Sequence, residues 1–376
     1  MRAAKVRALL LLLLSGICLV GCGSDEPAGA GGSGASGASG GASSSGGAGG
    51  GSDPVPCDGA PATLSLGGTW AAIARLKVQL EGSPDGAVSL CPEEQHGDAE
   101  LLLMVHMVED PTDPTQLPEV TAALCDLSLP IVKAKVGDCA VGDQNLVSTE
   151  IIAPPALLAG LPSVPSSPAT AALGGSAPGA SLTVQGLKMT VGSTKSGAEM
   201  PAWDVGDSAC NGDDIGRTNA CEETCVSDCA ALRDDDGDGY PGVTVHVCGY
   251  VKGEEPSACN ADDPASTGVS LQGKAFMDIE VAPVLDGEAV SSCELAGKVA
   301  TPIAYNLVGA DIWIGPGPIG VSSGIKSLPL FDVDPEASRF RMVRIDGAFG
   351  APDWDVDAAD AAGACAVIVS RANQLL

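Results

Sequence analysis

Alternation of apolar and polar residues at every second position dominates the chain beyond residue 57 and predicts β-structure. Between Thr69 and Leu80, one face carries Trp70, Ala72, Ala74, Leu76, Val78 and Leu80, while Arg75, Lys77 and Gln79 point the other way. That is the signature of a half-buried antiparallel strand. Val243, Val245 and Val247 alternate with Thr244, His246 and Cys248 in a second case. In a third, Ala275, Met277, Ile279 and Val281 alternate with Lys274, Phe276, Asp278 and Glu280. Ala99–Val108 is apolar on both faces and predicts a central strand. Across Gly186 the apolar phase slips, from Leu182 and Val184 to Leu187, Met189 and Val191, which predicts a β-bulge. Ile303–Leu307, Ala310–Ile314 and Phe340–Ile345 complete the strand set.

Two stretches carry a helical period instead. Asn219 with Glu222 three residues on forms a capping box, and no Pro or Gly follows until after Arg233. Asp357 to Asn373 is Ala-rich, with Ala361, Cys365 and Ile368 at helical spacing. Pro154–Gly179, rich in Pro, Ala and Ser, reads as an irregular excursion. The expected fold is mainly β: an antiparallel barrel or sandwich in one or two lobes, with a Cys-rich helix–loop insert and a C-terminal helix. No repeat of solenoid or propeller length is present.

The N-terminus breaks the pattern. Arg2, Lys5 and Arg7 precede the apolar run Ala8 to Leu14, and Leu19-Val20-Gly21-Cys22 closes the segment. The apolar run is too short to span a bilayer. This order resembles the bacterial lipoprotein signal peptide, which implies cleavage before Cys22 and acylation of that cysteine. Several acyl chains make a stable anchor. Gly23 stands where an Asp would imply inner-membrane retention, so the resemblance implies the outer membrane, on its periplasmic face or at the cell surface. Gly23–Asp53 is almost wholly Gly, Ser and Ala and predicts a flexible tether with a reach of roughly 30 Å. The expected organisation is signal peptide at 1–21, acylated cysteine and tether at 22–56, and an N-terminal β portion at 57–205. A Cys-rich calcium-loop segment follows at 206–265, then a C-terminal β portion with its helix at 266–376.

Charge and cysteine content fit export. Removing residues 1–21 takes away Arg2, Lys5 and Arg7 and no acid, so 19 Lys and Arg fall to 16 against 48 Asp and Glu, a net charge of −32. Such a surface repels phosphate backbones and argues against nucleic acid as a partner. Of 14 cysteines, Cys18 lies in the signal and Cys22 is the anchor, leaving 12 for disulfides whose pairing the sequence does not specify.

The one ordered cluster of ligating groups is Asp234-Asp235-Asp236-Gly237-Asp238-Gly239-Tyr240. Asp234, Asp236 and Asp238 occupy positions 1, 3 and 5 of a calcium loop, and the carbonyl of Tyr240 would be the seventh-position ligand. The stretch resembles the loops of EF-hand-like, dockerin and thrombospondin type 3 calcium modules, but Val245 stands where the bidentate Glu would be. Asp228, Asp262 and Asp263 are candidates for the missing ligands. Cys210-Asn211-Gly212-Asp213-Asp214 is echoed by Cys259-Asn260-Ala261-Asp262-Asp263, with Cys221, Cys225, Cys229 and Cys248 between them. On a helix, the first three of those four cysteines would share one face. The passage from the Asp-Gly loop into Pro241-Gly242-Val243-Thr244-Val245 resembles a group of uncharacterised high-GC bacterial lipoproteins, a likeness that implies no activity.

Other motifs carry less. Gly68-Thr69-Trp70 resembles the G-x-W of lipocalins, barrels that hold small apolar ligands. Gly320-Val321-Ser322-Ser323-Gly324 has the G-x-S-x-G spacing of serine hydrolases, but His96, His106 and His246 all precede the serine, and that fold needs its histidine after it. His96 reads as part of an acidic surface loop, and His106 as a buried, hydrogen-bonded residue. No pair among the 48 acids is singled out for catalysis. The expectation is a non-catalytic cell-envelope lipoprotein, a structural or interaction module stabilised by calcium and disulfides. Its membrane contact is acylated Cys22, and the alternative is a lipocalin-like carrier of a small apolar ligand.

Overall fold

A computed structural model describes residues 55, 57–80, 96–129, 131–135, 146–203, 221, 225–251, 271–314, 317–319 and 331–376. The chain divides into two units, Met1–Gly51 and Ser52–Leu376, and every described residue belongs to the second. The segment expected to be a signal peptide, Cys22, the Gly/Ser-rich stretch, both Cys-Asn-x-Asp-Asp segments and Gly320–Gly324 lie outside the described residues.

The strands, in chain order, begin with β1 (Gly68–Leu80), β2 (His96–Val108), β3 (Gln116–Ser128), β4 (Ile131–Lys135) and β5 (Leu146–Ile152). After helix α1 (Pro155–Gly160) come β6 (Ser166–Ser167), β7 (Ala169–Leu173), β8 (Ala180–Gln185) and β9 (Lys188–Val191). Then follow β10 (Val243–Val251), β11 (Leu271–Val281), β12 (Val284–Ser291) and β13 (Glu294–Ala300). The last are β14 (Ile303–Ile314), β15 (Gly317–Ile319) and β16 (Phe331–Arg344), before helix α2 (Ala361–Ser370).

Eight strands close an antiparallel barrel in the order β1-β2-β3-β7-β8-β12-β13-β16, and β16 pairs back onto β1. Read this way the barrel is a simple up-and-down meander in chain order, the arrangement that lipocalins also use. Its strands come from both halves of the chain. At one end the turns are short, as at 109–115, 174–179 and 292–293. At the other end the chain leaves the barrel three times, over 129–168, 186–283 and 301–330. These excursions build a second antiparallel sheet, β15-β14-β11-β10-β5-β4, with β9 and β6 joined at β11. One apolar core runs from the barrel interior into this sheet, joining Leu103, Leu182 and Met342 to Val243, Val245 and Ala275.

The alternation of β1 has a direct structural reading. Trp70, Ala72, Ala74, Leu76 and Val78 point into the barrel, and Arg75 and Lys77 lie outside in water. Ala71 and Ile73, on the outer face, are buried under α2 together with Leu102, Met104 and Ala123. That second layer explains why β2 is apolar on both faces. Asp360 caps α2 by accepting from Gly363 N at 3.0 Å, and the Cys125–Cys365 disulfide ties the helix to β3. Cys57–Cys293 ties the N-terminal segment to the β12–β13 turn.

The short-turn end is plugged by residues 64–67. Ser65 and Gly67 carbonyls accept from Arg344 Nη2 at 2.9 and 2.8 Å, Ser65 N donates to Ser292 Oγ, and Leu66 N donates to Glu109. The Arg344 guanidinium lies 4.9 Å from the Trp70 ring centre, and Trp70 Nε1 donates to the Leu66 carbonyl. The tryptophan of the G-x-W motif is therefore core, hydrogen-bonded at its polar tip. Gly68 has φ +138°, and a Cβ there would fall 2.1 Å from Asp346 Oδ2, so no side chain fits.

Several expectations need correction. Gly186 marks no bulge: the chain changes sheets there, from β8 in the barrel to β9 in the second sheet. The stretch 154–179 is not irregular throughout, since it contains α1 and barrel strand β7, whose Ala169, Ala171 and Leu173 face inward. The predicted helix from Asn219 to Arg233 is not formed over 225–233, which holds a bridge at Val226, a single 3-10 turn at Cys229–Ala231 and extended Leu232. A Cys221–Cys229 disulfide joins two of the cysteines that the helix would have placed on one face. His96 opens β2 opposite Gln79 and is no loop residue. Asp278 and Glu280, read as the outward face of β11, are buried.

Candidate functional site

Asp234, Asp236 and Asp238 converge just before β10. Each offers a carboxylate oxygen, and these oxygens lie within 4.8 Å of one another. The turn forms because its amides find carboxylates: Asp238 N and Gly239 N donate to Asp234 at 3.1 and 3.0 Å, and Tyr240 N donates to Asp238 Oδ1 at 2.8 Å. A bridge between Asp234 and Gly242 closes the loop, and Gly242 has φ +88° where a Cβ would meet the Met277 carbonyl at 2.7 Å. Tyr240 stacks its ring on Phe276 of β11, with centroids 4.8 Å apart.

The loop is pinned on three further sides. Asp235 turns away from the cluster, accepting from Gly192 N at 2.6 Å and from Arg233 Nη2 at 2.9 Å. Arg233 also donates to the Thr190 carbonyl of β9. The Asp235 carbonyl abuts Gly160 at the end of α1, where a Cβ would come within 2.1 Å. Thr244, the second residue of β10, donates its N–H to Asp236 Oδ2 at 2.7 Å and its hydroxyl to Asp238 Oδ2. Sequence reasoning missed Asp235 and Thr244 as parts of this arrangement.

Asp236 is the buried member of the trio, 9% exposed, and its Oδ1 has no hydrogen-bond partner. Burial first, and then the adjacent charges of Asp238 and Asp234, push its carboxyl up to about 6, against the lowering bond from Thr244 N. Among the described residues no Lys or Arg pairs with any of the three carboxylates. Three acids facing one another with a buried, unpartnered oxygen form a donor set suited to a hard divalent cation. Asp228 does not join them: it is ion-paired with Lys195 at 2.6 Å, which holds its carboxyl below the usual range. Asp262 and Asp263 lie outside the described residues.

A second buried acid sits on β11. Asp278 is fully buried, with Oδ1 accepting from Asn306 N at 3.1 Å and Oδ2 unpartnered, and burial pushes its carboxyl up to about 7. Glu280, one side-chain step along the same face, is paired with Lys188 at 3.3 Å and accepts from Gly197 N at 2.8 Å.

The barrel interior is the other place a ligand could enter. Its cavity, lined by Ala72, Leu103, Leu187, Leu285, Val299 and Phe340 among others, measures about 20 Å³, room for a single water. The exposed outer face carries ion pairs such as Arg75–Glu100 and Lys77–Asp98. This is the inverse of a membrane barrel, whose outer band is apolar. All eight described cysteines are in disulfides. No helix among the described residues is long and apolar enough to cross a membrane. Comparison with known proteins finds no family model, no curated relative and no solved structure that matches this chain.

Proposed function

We propose that this chain is a non-catalytic cell-envelope lipoprotein, a structural or interaction module held rigid by disulfides and by one calcium ion. The ion is bound by Asp234, Asp236 and Asp238 with the Tyr240 carbonyl, and the protein is anchored to the outer membrane through acylated Cys22. The observation that carries this reading over the carrier is the small size of the cavity found among the described residues of the barrel. A cavity of about 20 Å³ falls far short of the roughly 300–1,000 Å³ of ordinary ligand pockets. The up-and-down topology suits a carrier, but residues 64–67 plug one end, and the apolar core continues from the barrel interior into the second sheet. The buried, unpartnered oxygen of Asp236 supports the cation, and the charge order of residues 1–22 supports the anchor.

Thermal melting of the oxidised protein with calcium and with chelator tests this reading. The midpoint rises with calcium, by an amount corresponding to about 2.7 kcal/mol at a hundredfold excess over Kd, and Asp236→Asn removes the rise. Calcium competes with the proton on Asp236, so its affinity falls as pH drops below about 6. A midpoint indifferent to calcium rejects the site. Saturable one-to-one binding of a fatty acid or an apolar dye restores the carrier reading.

A further inference from the structure

The Asp loop lacks its usual last ligand, and the position where the missing acid would stand is Val245, whose side chain is 2% exposed in the apolar core. Strand pleating turns the residue just before it the opposite way. Thr244 is opposite Phe276 in the β10–β11 ladder, on the face where Tyr240 stacks. It is 3% exposed and holds two of the three carboxylates at once, Asp236 through its N–H and Asp238 through its hydroxyl.

We propose that Thr244 is itself a ligand of the cation, supplied by the first turn of strand where a helical calcium loop would supply its acid. The proposal rests on the calcium reading above and extends it to a residue outside the loop motif. A hydroxyl has one proton and two lone pairs, so Thr244 can go on donating to Asp238 while its oxygen faces the ion. The unpartnered oxygen of Asp236, nine-tenths buried, lies on the same carboxyl that Thr244 N holds in place. A neutral oxygen from a β-strand adds no charge to three acids already crowded together. It also makes ion binding and the seating of the loop on β10 a single event, because the ligand belongs to the strand.

Calorimetric calcium titration of the full oxidised chain tests this, with Thr244→Val as the isosteric removal of the hydroxyl and Thr244→Ala in its place where valine does not fold. Removal weakens calcium binding roughly tenfold, and Thr244→Ser restores it. Melting in chelator separates ligation from structure. A ligand role leaves the chelator midpoint near that of the native protein and shrinks the calcium increment. A lowered chelator midpoint with unchanged affinity assigns Thr244 to structure alone and overturns the proposal. If Thr244→Val binds normally while Asp236→Asn does not bind, Thr244 is no ligand and the calcium site stands. If Asp236→Asn also binds normally, the calcium reading falls as well.

Discussion

Among the described residues, the buried polar groups of the barrel are Thr69, Ser292 and Arg344 at the plugged end, Ser338, and Thr301 beside the interior cavity. Ser338 accepts from Lys77 N where the β1–β16 register shifts. The second sheet hides a different set on one face of β10 and β11: Thr244, Gln272, Asp278 and Glu280, with Asp236 above them. Both regions belong to one continuous core, yet their chemistry divides. The barrel draws its stability from apolar burial, which is insensitive to pH and ions. The sheet places ionisable groups out of water, where protonation and cations decide what they cost. Conditions should therefore act on the sheet and leave the barrel alone.

The largest effect expected is in the barrel. Trp70→Ala removes a fully buried ring beneath Arg344 and should destabilise by about 3–5 kcal/mol in urea unfolding, equally with and without calcium. A loss that depended on calcium would erase the division between the regions. Next comes Asp278. Its carboxyl is held at about 7 in the fold and titrates near 3.9 when unfolded, so the native state binds the extra proton. Stability then falls as pH rises from about 4 through 7, by on the order of 4 kcal/mol, and Asp278→Asn should flatten that fall. Unfolding at pH 5 and pH 8 reads it directly, and parallel profiles for the two proteins would refute it. The smallest effect lies on the barrel exterior. Lys77→Ala breaks an ion pair whose side chains are 52% and 74% exposed and should cost under about 0.5 kcal/mol in the same assay.

The division also governs what could be read from the chain. Strands β1 and β10 were legible because alternation records burial on one face, β2 because both its faces are apolar, and α2 because Ala361, Cys365 and Ile368 share a stripe. Strand β7 was not legible. Its inward residues Ala169 and Ala171 are small, and small residues carry little hydrophobic signal. Asp278 and Glu280 were assigned to solvent because alternation cannot tell a wet face from one covered by polar partners. The sheet change at Gly186 imitates a bulge, since both shift the phase by one residue. At the site, Asp234, Asp236 and Asp238 stood out by spacing, whereas Thr244 looked like an ordinary outward strand residue. Only the fold brings it back onto the loop.

Two long-range disulfides among the described residues interlock in sequence: Cys57–Cys293 spans Cys125, and Cys125–Cys365 spans Cys293. Overlapping closures of this kind make the body a covalent network and not a string. A single peptide-bond cut anywhere between Cys57 and Cys365 leaves every fragment joined to every other through sulfur. Between those two cysteines a peptidase must cut at least twice, or find a reductant, before any piece departs.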